Sequence, residues 1–84
     1  PPPPRFLCGL TGNVISDPIC HPRGNIWVER EALEAYVEDR SSAAVVRWPG
    51  AADEPFMPES GVSSLPTDHS LQSEILAWQL RKKR

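Results

Sequence analysis

The sequence predicts a small α+β domain with a short β-hairpin, a central helix, a C-terminal helix and two long loops. Its 84 residues are enough for one domain and too few for two. Two stretches carry apolar residues at helical spacing, and a short apolar run that follows a glycine is typical of a hairpin strand. The ten prolines favour loops over extended sheet.

The chain divides into three predicted segments. Residues 1–5 are expected to form a disordered, proline-rich leader, residues 6–80 the folded domain, and residues 81–84 a basic tail. The tail suits a solvated helix end, where the helix dipole favours cations. Nuclear localisation or phosphate binding is the alternative interpretation of its four basic residues.

The hairpin and the central helix are predicted to follow one another directly. A strand is expected over residues 25–28 and a helix over residues 29–39. Leu33, Tyr36 and Val37 stand at positions i, i+3 and i+4 of this helix and therefore predict one apolar face.

Residues 41–65 form a long predicted loop. A loop of this length in so small a domain is usually functional or is held by its own side chains. We expect Trp48, Phe56 and Val62 to turn inward and to anchor it.

The second helix is expected to begin near Asp68, the best candidate for the N-cap, with Thr67 as the second candidate. One stripe of this helix is apolar and should face the core: Leu71, Ile75 and Trp78. Leu76 and Leu80 lie off that stripe, so they could contact a second surface such as a partner helix.

Charge and composition exclude several function classes. A net charge of −2 gives no indication of a nucleic-acid partner for the domain as a whole. No apolar stretch approaches the roughly 20 residues of a membrane-spanning helix, so no membrane partner is predicted. Two cysteines are too few for a disulfide framework and indicate a reducing compartment, the cytoplasm or the nucleus.

The sequence offers no pattern typical of a metal site or of covalent catalysis. The potential zinc ligands are Cys8, Cys20, His21 and His69, and they lack a Cys-x-x-Cys spacing. Cys20 and His21 are adjacent, so on a strand their side chains point to opposite faces and the histidine cannot activate the thiol. We therefore predict no metal, no cofactor and no catalytic residue, with Cys8 and Cys20 acting as small buried hydrophobes.

Three blocks of the chain carry a pattern that follows one known order. The first block, residues 8–19, reads Cys-Gly-Leu-Thr-Gly-Asn-Val-Ile-Ser-Asp-Pro-Ile. The second block is residues 29–37 and the third is residues 65–78. Together they resemble the U-box family, a zinc-free relative of the RING domain. The first block has Gly9 where that family usually has proline, the second resembles its Glu-Arg-x-x-Ile-Glu-x-Trp-Leu helix, and the third its Ile-Pro-Asn to Trp segment. The resemblance implies a U-box fold in which polar contacts replace zinc.

The resemblance also implies a function. A U-box holds a ubiquitin-conjugating enzyme in a shallow groove between its two loops and its first helix, and it orients the thioester-linked ubiquitin without a covalent intermediate. By position, the contacts correspond to Leu10, Tyr36 and Pro55. Each has a structural interpretation as well: Leu10 as core, Tyr36 as part of the core face of its helix, and Pro55 as a loop stiffener. The other expected partners are ubiquitin, an unidentified substrate protein and a second copy of the chain in a homodimer.

One departure from the family leaves a second function open. Active members usually carry an arginine a few residues after the second-loop proline, whereas residues 57–60 here read Met-Pro-Glu-Ser. Arg47 is the nearest upstream candidate, and it would require a different loop path. The alternative is a degenerate U-box that acts as a non-catalytic interaction or dimerisation scaffold, and a third class is a nucleic-acid or membrane-surface module built on the tail.

Overall fold

The computed structural model describes residues 2–40, 46–51 and 53–82. Its elements are one two-stranded antiparallel sheet, two α-helices and two single 3-10 turns. In chain order they are the turn Pro4–Phe6, β1 (Pro18–Cys20), β2 (Trp27–Glu29), α1 (Arg30–Asp39), the turn Val62–Ser64 and α2 (His69–Lys82). The predicted α+β class, with its hairpin, central helix and C-terminal helix, is confirmed.

The hairpin is short and closed by its own turn. Ile19 pairs with Val28 at the centre of the two strands. The His21 N–H donates to the Ile26 carbonyl at 2.9 Å, and the Gly24 N–H donates to the His21 carbonyl at 2.7 Å. Gly24 has a φ of 72°, a left-handed conformation that glycine adopts without strain. The second strand begins two residues later than predicted because Ile26 belongs to this turn.

Helix α1 begins at Arg30 rather than at residue 29, because Glu29 has extended backbone angles and completes β2. Leu33 is fully buried, as its place on the predicted apolar face requires. Tyr36 and Val37 are half-buried at the edge of that face. The Arg40 guanidinium carbon lies 3.8 Å from the centroid of the Tyr36 ring.

Helix α2 has the predicted N-cap and packs its predicted stripe against the core. The Asp68 carboxylate accepts the Leu71 N–H at 3.1 Å, which is the hydrogen bond expected of an N-cap. The Asp68 N–H donates to the Pro18 carbonyl at 2.8 Å and so ties the start of the helix to β1. Leu71 and Ile75 are buried. Trp78 is half-buried, and its ring packs edge-to-face with that of Phe6, with the two ring centroids 5.8 Å apart.

The long loop is anchored by two of the three residues expected to hold it. Trp48 and Val62 are buried, but the prediction for Phe56 was wrong, since 54% of its surface is exposed. Phe56 forms an antiparallel bridge with Arg47. Successive side chains of an extended segment alternate between faces, so Met57 packs on the core and Phe56 points outward. The part of the loop over residues 41–45 lies outside the described residues.

The core lies between the hairpin, the two helices and the loops. Its buried members are Phe6, Cys8, Ile15, Ile19, Val28, Leu33, Trp48, Val62, Leu71 and Ile75. Cys8 is thus buried as predicted, whereas Cys20 is only half-buried. None of the described helices is long and apolar enough to cross a membrane.

Both ends of the predicted domain carry regular structure beyond the predicted boundaries. A 3-10 turn covers Pro4–Phe6, whose first two residues belong to the predicted leader, and α2 continues through Arg81 and Lys82, within the predicted tail. The Arg5 side chain donates two hydrogen bonds of 3.1 Å to Glu74 on α2. Residue 1 and residues 83–84, the ends of the two predicted segments, lie outside the described residues.

Candidate functional site

The first loop, residues 8–17, is organised around the Cys8 sulfur. This atom accepts the N–H groups of Leu10 and Glu29, each at 3.3 Å. The Cys8 N–H donates to the Asn13 carbonyl at 2.7 Å, and the Gly12 N–H donates to the Cys8 carbonyl at 2.9 Å. Cys8 is therefore an anchor for the loop backbone as well as a small core residue.

The pKa values of the two thiols move in opposite directions. Burial alone would raise the pKa of Cys8, but the N–H groups of Glu29 and Leu10, together with Thr11, lower it overall. Burial, with the nearby negative charge of Asp68, raises the pKa of Cys20. The Cys20 thiol donates to the His21 carbonyl at 3.3 Å, so it contacts the backbone rather than the imidazole.

The Glu29 carboxylate holds the other end of the first loop. It accepts the Ser16 N–H at 2.8 Å, the Ser16 hydroxyl at 2.9 Å and the Asp17 N–H at 2.8 Å. These contacts tie the loop to the start of α1. Sequence reasoning placed Glu29 in the first turn of the helix and missed this role, because the partners lie 12 and 13 residues away.

A second cross-link, the Arg30 cluster, consists of Asp17, Arg30, Thr67 and the carbonyls of Val62 and Leu65. Arg30 donates to the Asp17 carboxylate at 2.8 Å, to the two carbonyls at 2.7 Å each, and to the Thr67 hydroxyl at 3.0 Å. The Thr67 hydroxyl donates to the Asp17 carboxylate at 2.6 Å. One side chain of α1 therefore fastens the end of the first loop and the segment that precedes α2.

A third cross-link, the His21 cluster, consists of His21, Arg23, Trp48 and Glu54. His21 Nε2 lies 2.9 Å from Glu54 Oε2, and both residues are buried. The Arg23 N–H donates to His21 Nδ1 at 3.1 Å, which places the imidazole proton on Nε2. The Trp48 ring and the imidazole pack edge-to-face, with their ring centroids 5.3 Å apart. This cluster joins the hairpin turn to the long loop.

The long loop passes so close to Glu54 that only glycine fits at position 50. A β-carbon there would come within 2.9 Å of the Glu54 carboxylate, and Gly50 has a φ of 146°. The Pro49-Gly50 turn therefore belongs to the packing of the His21 cluster. Across the described residues, no group of three or more His, Cys, Asp or Glu side chains could hold a metal ion.

The exposed edge of the long loop is the second-loop bridge, residues 46–48 paired with residues 55–57. The Trp48 N–H donates to the Pro55 carbonyl at 2.9 Å, and the Met57 N–H donates to the Val46 carbonyl at 2.8 Å. Arg47 donates to the Glu54 carbonyl at 2.7 Å, and its guanidinium carbon lies 3.9 Å from the Phe56 ring centroid. An exposed cation and an exposed ring thus stand beside Pro55 on a fixed backbone.

The three predicted contact residues lie on three different segments. Leu10 is half-buried on the first loop and packs against the core, Tyr36 is half-buried on α1, and Pro55 is half-buried on the second-loop bridge. No hydrogen bond or ring contact of the described residues joins one of them to another. Each keeps accessible surface for a partner, and their assignment as contacts stays a prediction.

A shallow groove of about 300 Å³ separates the first loop from α1. Its lining consists of Thr11, Asn13, Val14, Glu29, Glu31, Ala32 and Ala35. Leu10 and Tyr36 are the sequence neighbours of this lining on its loop side and its helix side. The resemblance implied a groove beside the first helix, but its lining was not predicted, since small alanines on a helix face give no signal for it.

Comparison with known proteins identifies the family of the chain. No curated protein shows significant similarity to it. The U-box domain family matches residues 2–84, which is nearly the whole chain and includes both loops and both helices. The chain therefore belongs to the U-box domain family, whose members are ubiquitin-ligase-type modules that bind ubiquitin-conjugating enzymes.

Proposed function

We propose that this chain binds a ubiquitin-conjugating enzyme through Leu10, Tyr36 and Pro55 and promotes transfer of ubiquitin to a substrate protein. The observation that carries the proposal is the second-loop bridge, which presents Pro55 at the surface on a backbone held by hydrogen bonds. The cytoplasm or the nucleus is the proposed compartment, in keeping with two free cysteines.

Arg47 supports ligase function over a purely structural role. The family usually places an arginine after the second-loop proline, and residues 57–60 contain none. The antiparallel bridge brings Arg47 opposite Phe56 and therefore next to Pro55. Stacking on the Phe56 ring and the hydrogen bond to the Glu54 carbonyl hold the guanidinium there. We infer that Arg47 supplies the positive charge at this edge, through the planar set of donors that arginine offers a partner.

The contribution to catalysis is one of positioning. Cys8 is committed to the backbone of the first loop and Cys20 to the His21 carbonyl, so the thiols serve the fold. The two loops are held by hydrogen-bonded clusters, which reduces the ordering that binding would otherwise require. A partner docked on such a rigid surface can be held in a reactive geometry.

Leu10→Ala tests the contact surface. Truncating a central apolar contact typically costs about 2 kcal/mol or more, which corresponds to at least about tenfold in affinity. We expect Leu10→Ala to weaken binding of a conjugating enzyme by that factor in an NMR titration, with little change in the melting temperature. Ile26→Ala is the matched control, because Ile26 is an exposed apolar residue of the hairpin turn.

Two results would contradict this assignment in different ways. If Leu10→Ala unfolds the domain, Leu10 is a core residue and the contact surface is elsewhere. If the wild-type chain gives no chemical-shift change with any enzyme of a broad panel, the scaffold function replaces the ligase function.

Arg47→Ala tests transfer separately from binding. We expect autoubiquitination to slow by about tenfold or more while the melting temperature stays constant, because the Arg47 side chain is exposed. Arg5→Ala is the control, since it removes another exposed arginine that contacts α2 instead. An unchanged rate with Arg47→Ala would show that this cation has no part in transfer.

A further inference from the structure

Lysine is confined to the end of helix α2. Residues 1–81 contain no lysine, and the two lysines of the chain are Lys82 and Lys83. The cations that hold the loops, Arg30 and Arg47, are arginines. A guanidinium stays protonated in proteins, whereas a lysine amine that gives up its proton can attack a carbonyl carbon. Side-chain amines able to accept an acyl group are therefore restricted to one place in the fold.

Lys82 lines a cavity that adjoins the groove beside the first loop. The cavity has a volume of about 390 Å³, and its lining consists of Val14, Trp78, Gln79 and Lys82. Val14 also lines the groove between the first loop and α1. The cavity and the groove thus share one wall, whose backbone is held by the antiparallel bridge between Val14 and Leu7. A partner seated in the groove therefore lies next to the cavity that contains Lys82.

The Lys82 side chain is exposed and lies over the indole of Trp78. Its Nζ is 5.2 Å from the centroid of the Trp78 ring, and that ring packs against Phe6. A cation–π contact at an exposed position is weak. The amine can therefore leave the ring, while the backbone of α2 keeps it on the side of the first loop.

We propose that Lys82 is the residue on which this chain accepts ubiquitin in self-modification. The assignment rests on the proposed function, since the conjugating enzyme supplies ubiquitin as a thioester. The neutral Lys82 amine attacks the thioester carbonyl carbon, so that an N–C bond forms and the C–S bond breaks. The amine gives up one proton and the departing thiolate gains one, which leaves an isopeptide and a free enzyme thiol. Lys83 lies outside the described residues, and Lys82 is the lysine that lines the cavity.

A self-ubiquitination reaction of the 84-residue chain, with ubiquitin whose lysines are methylated, tests the assignment. Each modified amine then carries a single ubiquitin, and mass spectrometry locates the isopeptide. We expect Lys82→Arg to lower the rate by about fivefold or more and Lys83→Arg by less than about twofold, because the reaction depends on the position of the amine. Both variants keep the positive charge that favours a helix end, so a purely structural role of Lys82 would leave the rate unchanged.

Discharge of the enzyme-bound ubiquitin to free lysine in solution separates this assignment from the proposed function. We expect the wild type and Lys82→Arg to accelerate discharge equally, because Lys82 is not one of the proposed contacts. Acceleration of discharge without modification of Lys82 overturns the assignment and leaves the proposed function standing. Equal losses of self-modification for Lys82→Arg and Lys83→Arg, or no loss for Lys82→Arg, also overturn it. A wild type that does not accelerate discharge overturns the proposed function and the assignment with it.

Discussion

The Arg30 cluster and the His21 cluster perform the same task by different physical means. In the Arg30 cluster one guanidinium donates four hydrogen bonds of 2.7–3.0 Å to carboxylate, carbonyl and hydroxyl oxygens. In the His21 cluster the central pair is buried, and Glu54 Oε2 has no aligned hydrogen bond although His21 Nε2 is 2.9 Å away. The short distance without alignment makes this contact one of close packing, and the cationic neighbour of Glu54 Oε2 is Arg23, whose Nε lies 3.5 Å away.

The difference shows two ways in which side-chain contacts hold the loops of this U-box. The Arg30 cluster depends on the planar, forked geometry of arginine, so its strength lies in many directed contacts. The His21 cluster depends on close packing of an imidazole, an indole and a carboxylate, with Gly50 leaving room for the acid. Any change of the Arg30 donor should therefore lower the free energy of unfolding. In the His21 cluster, a change of side-chain charge should lower it less than a change of side-chain volume.

The largest effect is expected from Arg30→Ala. The Arg30 side chain is only 18% exposed, and its removal takes one donor from each of four acceptors. Thr67 would still donate to Asp17, and the Leu65 N–H would still donate to the Val62 carbonyl. The Asp17 side chain is 37% exposed, so the ion pair is only partly buried. Hydrogen bonds to a charged group contribute about 1.5–3 kcal/mol each, and the loss of the whole set should cost about 3–5 kcal/mol. Urea denaturation should show a loss of this order. Arg40→Ala, which removes an exposed arginine, should change the free energy of unfolding by about 0.5 kcal/mol or less.

Arg30→Lys sharpens the same comparison. Lysine keeps the charge but cannot reach four acceptors in the geometry of the guanidinium. If Arg30→Lys is as stable as the wild type, charge alone holds this cluster and the contrast with the His21 cluster disappears.

An intermediate effect is expected at Glu54. Glu54→Ala should cost about 1–3 kcal/mol, because it opens a gap between His21 and Gly50 and leaves His21 Nε2 without its neighbour. Glu54→Gln keeps the volume and should recover more than half of that loss in thermal or chemical denaturation. Equal losses for the two variants would show that the charge of Glu54, rather than its packing, holds the long loop.

A small effect on stability is expected from Phe56→Ala. The ring is 54% exposed and its main contact is the Arg47 guanidinium, so the free energy of unfolding should change by about 0.5 kcal/mol or less. Trp48→Ala on the facing strand of the bridge is the contrasting variant, since Trp48 is buried and its loss should cost about 3–5 kcal/mol. Comparable melting temperatures for the two variants would contradict the inward and outward alternation of the bridge.

These contrasts also mark what the sequence could predict. The cap at Asp68 and the core residues Leu71 and Ile75 follow from spacing within one helix, and the structure confirms them. The partners of Arg30 could not be predicted from spacing, since they lie 13 to 37 residues away along the chain. Local patterns report on neighbours in one element, whereas the cross-links depend on how separate segments meet.

Phe56 shows the same limit for the candidate site. Its apolar character indicated burial, but the face it occupies is decided by its pairing with Arg47, nine residues away on another segment. The family resemblance supplied Leu10, Tyr36 and Pro55 as contacts and implied a groove beside the first helix, whereas the lining of the groove and the position of Arg47 emerged only from the structure. Side chains in extended loops reveal their orientation only when their pairing partners are known.

The most subtle difference between the two clusters is expected in acid, at Asp17. Partial burial alone would raise the pKa of Asp17, but hydrogen bonds from Thr67 and Arg30 and the positive charge of Arg30 lower it overall. A carboxyl group whose pKa is lower in the folded state stabilises the fold above its unfolded pKa, and this contribution is lost as the pH falls through the folded pKa. The free energy of unfolding should therefore decrease as the pH falls below about 4, the ordinary range of an aspartate.

Asp17→Asn should be less stable than the wild type at neutral pH, and the two should converge in acid. Urea denaturation of both proteins from pH 7 to about pH 2.5 measures the difference directly, and other carboxylates cancel because both chains carry them. Parallel curves, with a constant gap down to the lowest pH, would show that Asp17 contributes through its hydrogen bonds alone and that its charge has no part in holding the Arg30 cluster.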